Sequence, residues 1–320
     1  MSKNSDKLRN KAQAGLSLVD LMVGMVIALL GIVIIFQVFS VSESVKRTTT
    51  SGGDALQNAT ASLFELERSL RAAGYGIFSC ANASATPARS WDPCGTAAVT
   101  ILPSGTPPSC TVAGPGNMSD CLVLNYRPST GPKSWELGPF APQLNQQPTP
   151  VPTPPPLTIE TITVQTNCGN NGSTLLQLCS SVNDGSGNPA AAAVLSDGIV
   201  LMKAEYGMDT TTTNEGRGDG VVTNWTQQSP GALNVDPTHV KAVRIVLVAR
   251  SAQPEVTRTA TGAITTCATT TAPPTWTDNK NVPLDLTGQA DLLAAGDDWR
   301  CYRYKTYETT VPLRNVIWSP

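Results

Sequence analysis

The residues able to do chemistry are few. Eight cysteines, Cys80, Cys94, Cys110, Cys121, Cys168, Cys179, Cys267 and Cys301, form an even set, and thiols in that number serve as disulfides or as metal ligands. Zinc sites use C-x-x-C pairs or added histidines. No C-x-x-C occurs and His239 is the only histidine, so the set reads as disulfides, with no metal or other cofactor implied. The sequence alone does not decide the pairing. Local proximity favours Cys80 with Cys94, Cys110 with Cys121, Cys168 with Cys179, and Cys267 with Cys301. Disulfides in this number imply an oxidising compartment. A single histidine also leaves a serine or cysteine nucleophile without its usual base assembly, and His239 stands immediately before a strand-like run, as a surface or strand-edge residue would. The chain therefore reads as no enzyme. Asp209, Asn214, Glu215 and Asp219 gather in one loop, DTTTTNEGRGDG, as oxygen ligands for a hard cation would. Thr211 and Thr213, however, occupy positions where an EF-hand loop requires Asp or Asn, and the loop reads as an acidic turn.

The last reactive group is Asp20, a carboxylate inside an apolar run. From Leu16 to Phe39 the chain is long enough to form a helix of about 36 Å, against a hydrocarbon layer of about 30 Å. Burying Asp20 in lipid would cost about 2.5–3.5 kcal/mol on insertion scales. Either the carboxylate reaches the headgroups, or it has a cationic partner. Upstream, Met1 to Gly15 carries Lys3, Lys7, Arg9 and Lys11 against Asp6, a basic leader that stays in the cytoplasm. Its small residues Ala14 and Gly15 come before the apolar run, whereas a secretory signal has its cleavage site after it. A cut after Gly15 would place the new α-amine of Leu16 one helical turn from Asp20, on the same chain or on a neighbour.

The elements that carry these groups follow from patterning. Leu56, Ala59, Leu63, Leu66, Leu70 and Ala73 alternate steps of three and four, an apolar seam on a helix that stops at Gly74. Between span and seam, Thr48 to Gly53 combines weak helix formers with two glycines, which predicts a loosened or broken helix. Downstream, Cys121 to Arg127, Leu157 to Gln165, Ile199 to Tyr206, Val240 to Arg250 and Tyr302 to Leu313 are β-rich runs separated by turn residues. Residues Pro139 to Pro156 are too proline-rich for central strands and read as an extended insertion. Trp91, Trp135, Trp225, Trp276 and Trp299 lie near loops or cysteines, where core packing is the simpler reading. The fold class is α+β: a long N-terminal α-helix packed on an antiparallel β-sheet head with long disulfide-bonded loops.

Composition narrows the partners. The chain of 320 residues has 22 Lys and Arg against 24 Asp and Glu, which leaves no basic field to neutralise a phosphate backbone. Nucleic acid is not an expected partner. Only 14% of residues are charged, and 25 prolines with 26 glycines fit a loop-rich head.

The junction Ala14-Gly15-Leu16-Ser17-Leu18-Val19-Asp20-Leu21 resembles the class III leader junction of type IV pilins and related pseudopilins. Further on, LFELERSLRAAGYG (Leu63 to Gly76), AEYGMD (Ala204 to Asp209), HVKAVRIVLVARS (His239 to Ser251) and YRYKTYETTVPLRN (Tyr302 to Asn315) resemble landmarks of PilW-type minor pilins. The resemblance implies a type IV pilin-like fold, cleavage after Gly15 by a prepilin peptidase, N-methylation of Leu16, and charge pairing of Asp20 with a neighbouring subunit's N-terminal amine during assembly. Asp20 stands where the family usually has Glu, and Leu16 where it has Phe, departures that suit a specialised subunit.

The organisation this implies is a cleaved leader at 1–15, a transmembrane and filament-core helix at 16–39, an amphipathic continuation at 40–74, and a periplasmic or extracellular head at 75–320 with the insertion at 139–156. The function implied is that of a minor pilin that helps initiate a type IV pilus and enters it at or near the tip. Its partners would be the peptidase, the other minor pilins, the major pilin and the inner-membrane assembly platform. Such a chain crosses the bacterial inner membrane once before assembly, head in the periplasm, and then joins the pilus at the cell surface. A J-type pseudopilin of a type II secretion system and a filament-tip adhesin head are the alternatives.

Overall fold

A computed structural model of the chain describes residues 18–77, 97–102, 119–127, 157–183, 192–211, 219–255, 257–258, 264–266, 269–277, 279, 281–287, 289, 292 and 298–317. It divides into two compact units, residues 1–50 and 51–320. The helix α1, Leu18–Ala72, contributes to both. Helical geometry continues through Thr48 to Gly53, contrary to the break that composition predicts there. A glycine costs only about 1 kcal/mol relative to alanine inside a helix, too little to interrupt a helix of 55 residues. Asp20 in the first turn and Arg71 in the last both complement the helix dipole.

In the first unit, Leu18–Phe39 forms a 22-residue stretch of mean hydropathy 2.8, long and apolar enough to cross a membrane. Its large side chains are exposed, from Leu18 at 74% to Phe39 at 67%.

In the second unit, the helix buries a stripe of Ala55, Ala59, Ser62, Leu66, Leu70 and Ala73. The expected seam is correct at Ala59 and from Leu66 onward, and one residue out of phase at Leu56 and Leu63. Leu56 is 53% exposed and Leu63 is half-buried, while Ala55 and Ser62 take the inward places. Ser62 can be buried because its hydroxyl donates to the Asn58 carbonyl one turn back at 2.7 Å, so no polar group is stranded. The helix ends at Gly74, whose φ of +80° suits glycine and where a Cβ would sit 3.0 Å from the Ala98 Cβ. The Gly74 amide donates to the Asn125 carbonyl at 2.8 Å. The Asn315 side chain donates to the carbonyls of Arg71 (2.9 Å) and Ala73 (3.1 Å), satisfying acceptors that a helix C-terminus leaves open.

Among the described residues thirteen strands follow: β1 Val99–Leu102, β2 Cys121–Tyr126, β3 Thr158–Gln165, β4 Gln177–Asn183, β5 Ala193–Asp197, β6 Ile199–Met208, β7 Asn224–Thr226, β8 Val240–Arg250, β9 Thr257–Arg258, β10 Ile264–Thr266, β11 Thr275–Trp276, β12 Val282–Pro283 and β13 Tyr304–Pro312. A short helix, α2 (Arg314–Ile317), comes last. Every pairing is antiparallel. One sheet has the order β1-β2-β3-β4-β5, a second has β13-β8-β6-β7, and β9-β10 and β11-β12 are two-stranded ribbons. The proline-rich insertion at 139–156 lies outside the described residues.

The sheets are tied to each other by polar groups. The Ile101 amide of β1 donates to the Tyr206 hydroxyl of β6. Asp120, just before β2, pairs with β6 through its amide to the Met202 carbonyl (2.8 Å). Its carboxylate accepts from the Ala204 amide (3.0 Å) and pairs with Lys203 (2.8 Å). Strand β8 is buried along nearly its whole length, which explains its continuous apolar reading, VKAVRIVLVAR: both of its faces are covered. On the face shared with Thr309, the helix closes the core, Thr309 donating to Glu67 at 2.8 Å. On the face shared with Glu308, residues around β11 and β12 lie across the sheet, the Thr277 amide donating to Glu308 at 2.7 Å.

Candidate assembly site

The groups that sequence marks for assembly sit at the start of α1. Gly15 and Leu16 lie outside the described residues. Asp20 is exposed in the first helical turn, where the unpaired amides of a helix N-terminus favour a carboxylate. Positions 20, 24, 27 and 31 share a helix face at 3.6 residues per turn, which aligns Asp20 with Gly24, Ile27 and Gly31. Beyond the local helix backbone, no atom lies within 4 Å of a Cβ built on Gly24 or Gly31. That face therefore exposes backbone that a second helix could approach closely, the way small residues are used in helix packing within lipid. It combines one carboxylate, two glycines and a wide apolar surround, and nothing in the described structure covers it.

The cysteines are divided by the described range. Cys168 and Cys179 form a disulfide with Cα atoms 6.0 Å apart, the local pair that proximity favours. Cys121 and Cys301 are also disulfide-bonded; Cys80, Cys94, Cys110 and Cys267 lie outside the described residues. Among the described residues no group of three His, Cys, Asp or Glu side chains is placed to hold a metal ion.

The acidic loop uses its first carboxylate internally. Asp209 is fully buried and accepts from the Thr211 amide (3.0 Å), the Thr211 hydroxyl (2.6 Å) and the Gly220 amide (2.7 Å). Burial pushes its carboxyl up, but those hydrogen bonds and the charge of Lys241 outweigh burial and hold it below the usual aspartate range. Asn214 and Glu215 lie outside the described residues. His239 completes a short turn before β8, its Nδ1 against the Asp209 carbonyl, so the lone histidine closes the same loop.

The head also holds a charged cluster that the sequence did not announce. Glu205 of β6 and Arg244 of β8 are register partners and form an ion pair in which both side chains are nearly buried, at 7% and 11% exposure. The Arg244 Nε donates to Glu205 at 2.7 Å and Asn279 donates to the other carboxylate oxygen at 2.6 Å. The guanidinium lies over two indoles, 4.8 Å from the Trp225 ring centre and 5.4 Å from that of Trp276. Gly207 makes room for this stack, because a Cβ there would sit 2.8 Å from the Trp225 ring. A second buried carboxylate, Glu160, accepts from Ser69 of α1 (3.1 Å) and Ser180 of β4 (2.8 Å), fastening helix to sheet. Glu205 belongs to the AEYGMD segment, but alternation alone marks it as an outward polar residue. Only the strap around β11 and β12, poor in sequence pattern, turns that outward face inward.

Residues 162–315, just under half of the chain, match the family model described as Type IV Pilus-assembly protein W. That segment is similar to PilW-type pilins. The matched range runs from β3 to the capping residue Asn315, so the Glu205–Arg244 cluster, the Cys168–Cys179 bridge and the helix cap all fall inside the PilW segment, and Asp20 falls before it. Among solved structures, a type IV-like pilin from Thermus thermophilus is similar, with 12% identity and a TM-score of 0.38, over 82% of this chain and 97% of that one. No curated protein matches the sequence. The chain carries an exposed apolar helix and an antiparallel, disulfide-bonded head.

Proposed function

We propose that this chain is a minor pilin that helps initiate a type IV pilus and enters it at or near the tip. The observation that carries the reading is the exposed helix Leu18–Phe39 with a lone carboxylate near its start, borne by a chain with a PilW-type head. A helix of this kind has two stable environments, the bilayer and a bundle of equivalent helices, and moving between them needs no bond chemistry. In the bilayer Asp20 lacks a partner. In the bundle the α-amine of a neighbouring mature subunit satisfies it, which gives the transfer a direction.

The prepilin peptidase removes residues 1–15 by cutting after Gly15, Leu16 is N-methylated, and the helix from 16 to 39 holds the head in the periplasm of the inner membrane until extraction. The head then contacts other minor pilins and the major pilin on the assembly platform. Asp20→Ala tests the pairing role: processing continues, and incorporation into sheared filaments drops. Wild-type incorporation of that variant would refute the role. N-terminal sequencing of mature protein should begin at Leu16. Co-purification with pilus minor subunits rather than with secretion-system components separates the pilus reading from a pseudopilin one.

A further inference from the structure

The turn between β3 and β4 carries the only Asn-Gly dipeptide in the chain, Asn171-Gly172. An asparagine followed by glycine is chemically self-reactive, because no side chain shields the following amide. That amide nitrogen loses its proton and attacks the asparagine Cγ, the bond from Cγ to the side-chain nitrogen breaks, and ammonia leaves. Water then opens the resulting succinimide to aspartate or isoaspartate. No enzyme or oxidant is needed, only a conformation that brings nitrogen and Cγ together.

The folded turn withholds that conformation at each group the reaction uses. Asn171 is exposed to water, but its backbone has ψ −1°, which turns the Gly172 nitrogen away from the side chain, and ring closure requires a large rotation about that bond. The attacking amide is occupied, donating to Asn167 Oδ1 at 2.7 Å. The leaving amide donates to Gln177 Oε1 at 3.0 Å, and the side-chain oxygen accepts from the Ser173 amide at 2.9 Å. Gln177 is itself 4% exposed, fixed by donation to Asp197 at 2.6 Å and by accepting from the Cys168 amide at 3.3 Å. The Cys168–Cys179 bridge spans the whole turn.

We propose that Asn171 is a spontaneous deamidation site that the cross-linked turn and Gln177 hold closed, so that its conversion records opening of the turn. Conversion is also one-way. The new carboxylate has lost the donor that Gln177 Oε1 accepts from, and it stands across that glutamine from Asp197, so the turn does not reclose in its original arrangement.

Full-length protein in detergent is incubated at mildly alkaline pH, and the peptide spanning residues 166–176 is followed by mass spectrometry for the change from amide to acid. Urea-denatured wild type sets the unprotected rate. Native wild type converts slower than that by about tenfold or more, since three hydrogen bonds must open together. Gln177→Ala and the paired Cys168→Ser, Cys179→Ser variant move toward the denatured rate. Circular dichroism confirms that each variant retains its sheet. Gly172→Ala slows conversion in urea, which identifies the Gly172 nitrogen as the attacking group. Equal rates in native and denatured wild type overturn the protection. Variants that hold their fold and convert no faster than wild type overturn the role of Gln177 and the bridge, and an unchanged Asn171 in urea overturns the site itself.

Discussion

Removing the Glu205 carboxylate is the sharpest probe of the head. Glu205→Ala leaves the Arg244 guanidinium nearly buried beneath the strap around β11 and β12, with the Asn279 amide also deprived of its acceptor. Breaking a buried pair by deleting one partner costs about 3–5 kcal/mol. The contact of Arg244 with Trp225 and Trp276 survives and returns about 0.5–2 kcal/mol, so the expected loss lies near the lower end, about 3 kcal/mol. The assay is urea unfolding of the full chain in detergent, read by tryptophan fluorescence, which Trp225 and Trp276 make sensitive to this region. A companion variant, Glu205→Leu with Arg244→Met, removes both charges and should fall within about 2 kcal/mol of wild type, because apolar replacement of a buried pair is often close to neutral. A loss below about 1 kcal/mol for Glu205→Ala, or a double variant as unstable as the two single ones added together, would refute the claim that the pair is held by burial and mutual compensation.

Other expectations follow from the same contacts. Gly207→Ala drives a methyl into the Trp225 ring and should cost about 1–3 kcal/mol as an overpacking change, with a red-shifted emission as the ring is displaced. Because the folded Asp209 carboxyl is held below its ordinary value, its contribution is fully present above the unfolded pKa of about 3.9 and is lost as pH falls through the folded value. The stability gap between wild type and Asp209→Asn should therefore be open at neutral pH and close in acid, as followed by urea midpoints across pH. Removing the Cys168–Cys179 bridge, which spans 11 residues, should cost about 3 kcal/mol on loop-entropy grounds, readable as a lower unfolding midpoint at unchanged slope.

What was legible in the sequence was whatever rests on long apolar patterning. The runs read as strands from Cys121, Leu157, Ile199, Val240 and Tyr302 all became strands, β2, β3, β6, β8 and β13, with edges shifted by a residue or two. β1, β4 and β5 escaped notice for different reasons: VTIL is short, QLCSSVN is half polar, and AVLSD is an edge strand with exposed positions. Leu56 points outward because hydrophobic identity does not fix direction, and Ala55 and a self-satisfied Ser62 take the buried places. The charges were least legible. Glu205, Arg244, Asn279 and Trp276 come from four separated segments, and only tertiary pairing shows that they form one buried cluster.

The cap on α1 has a consequence for how the head is made. Asn315 lies 244 residues beyond Arg71 in sequence, and the Thr309–Glu67 bond bridges a similar distance. Synthesis runs from the N-terminus, so the end of the helix emerges long before the residues that close it. Contacts of such sequence separation carry a large loop-closure cost and slow folding. Until residue 315 has emerged, the helix end keeps its carbonyls open, and the head cannot be finished from its first half alone.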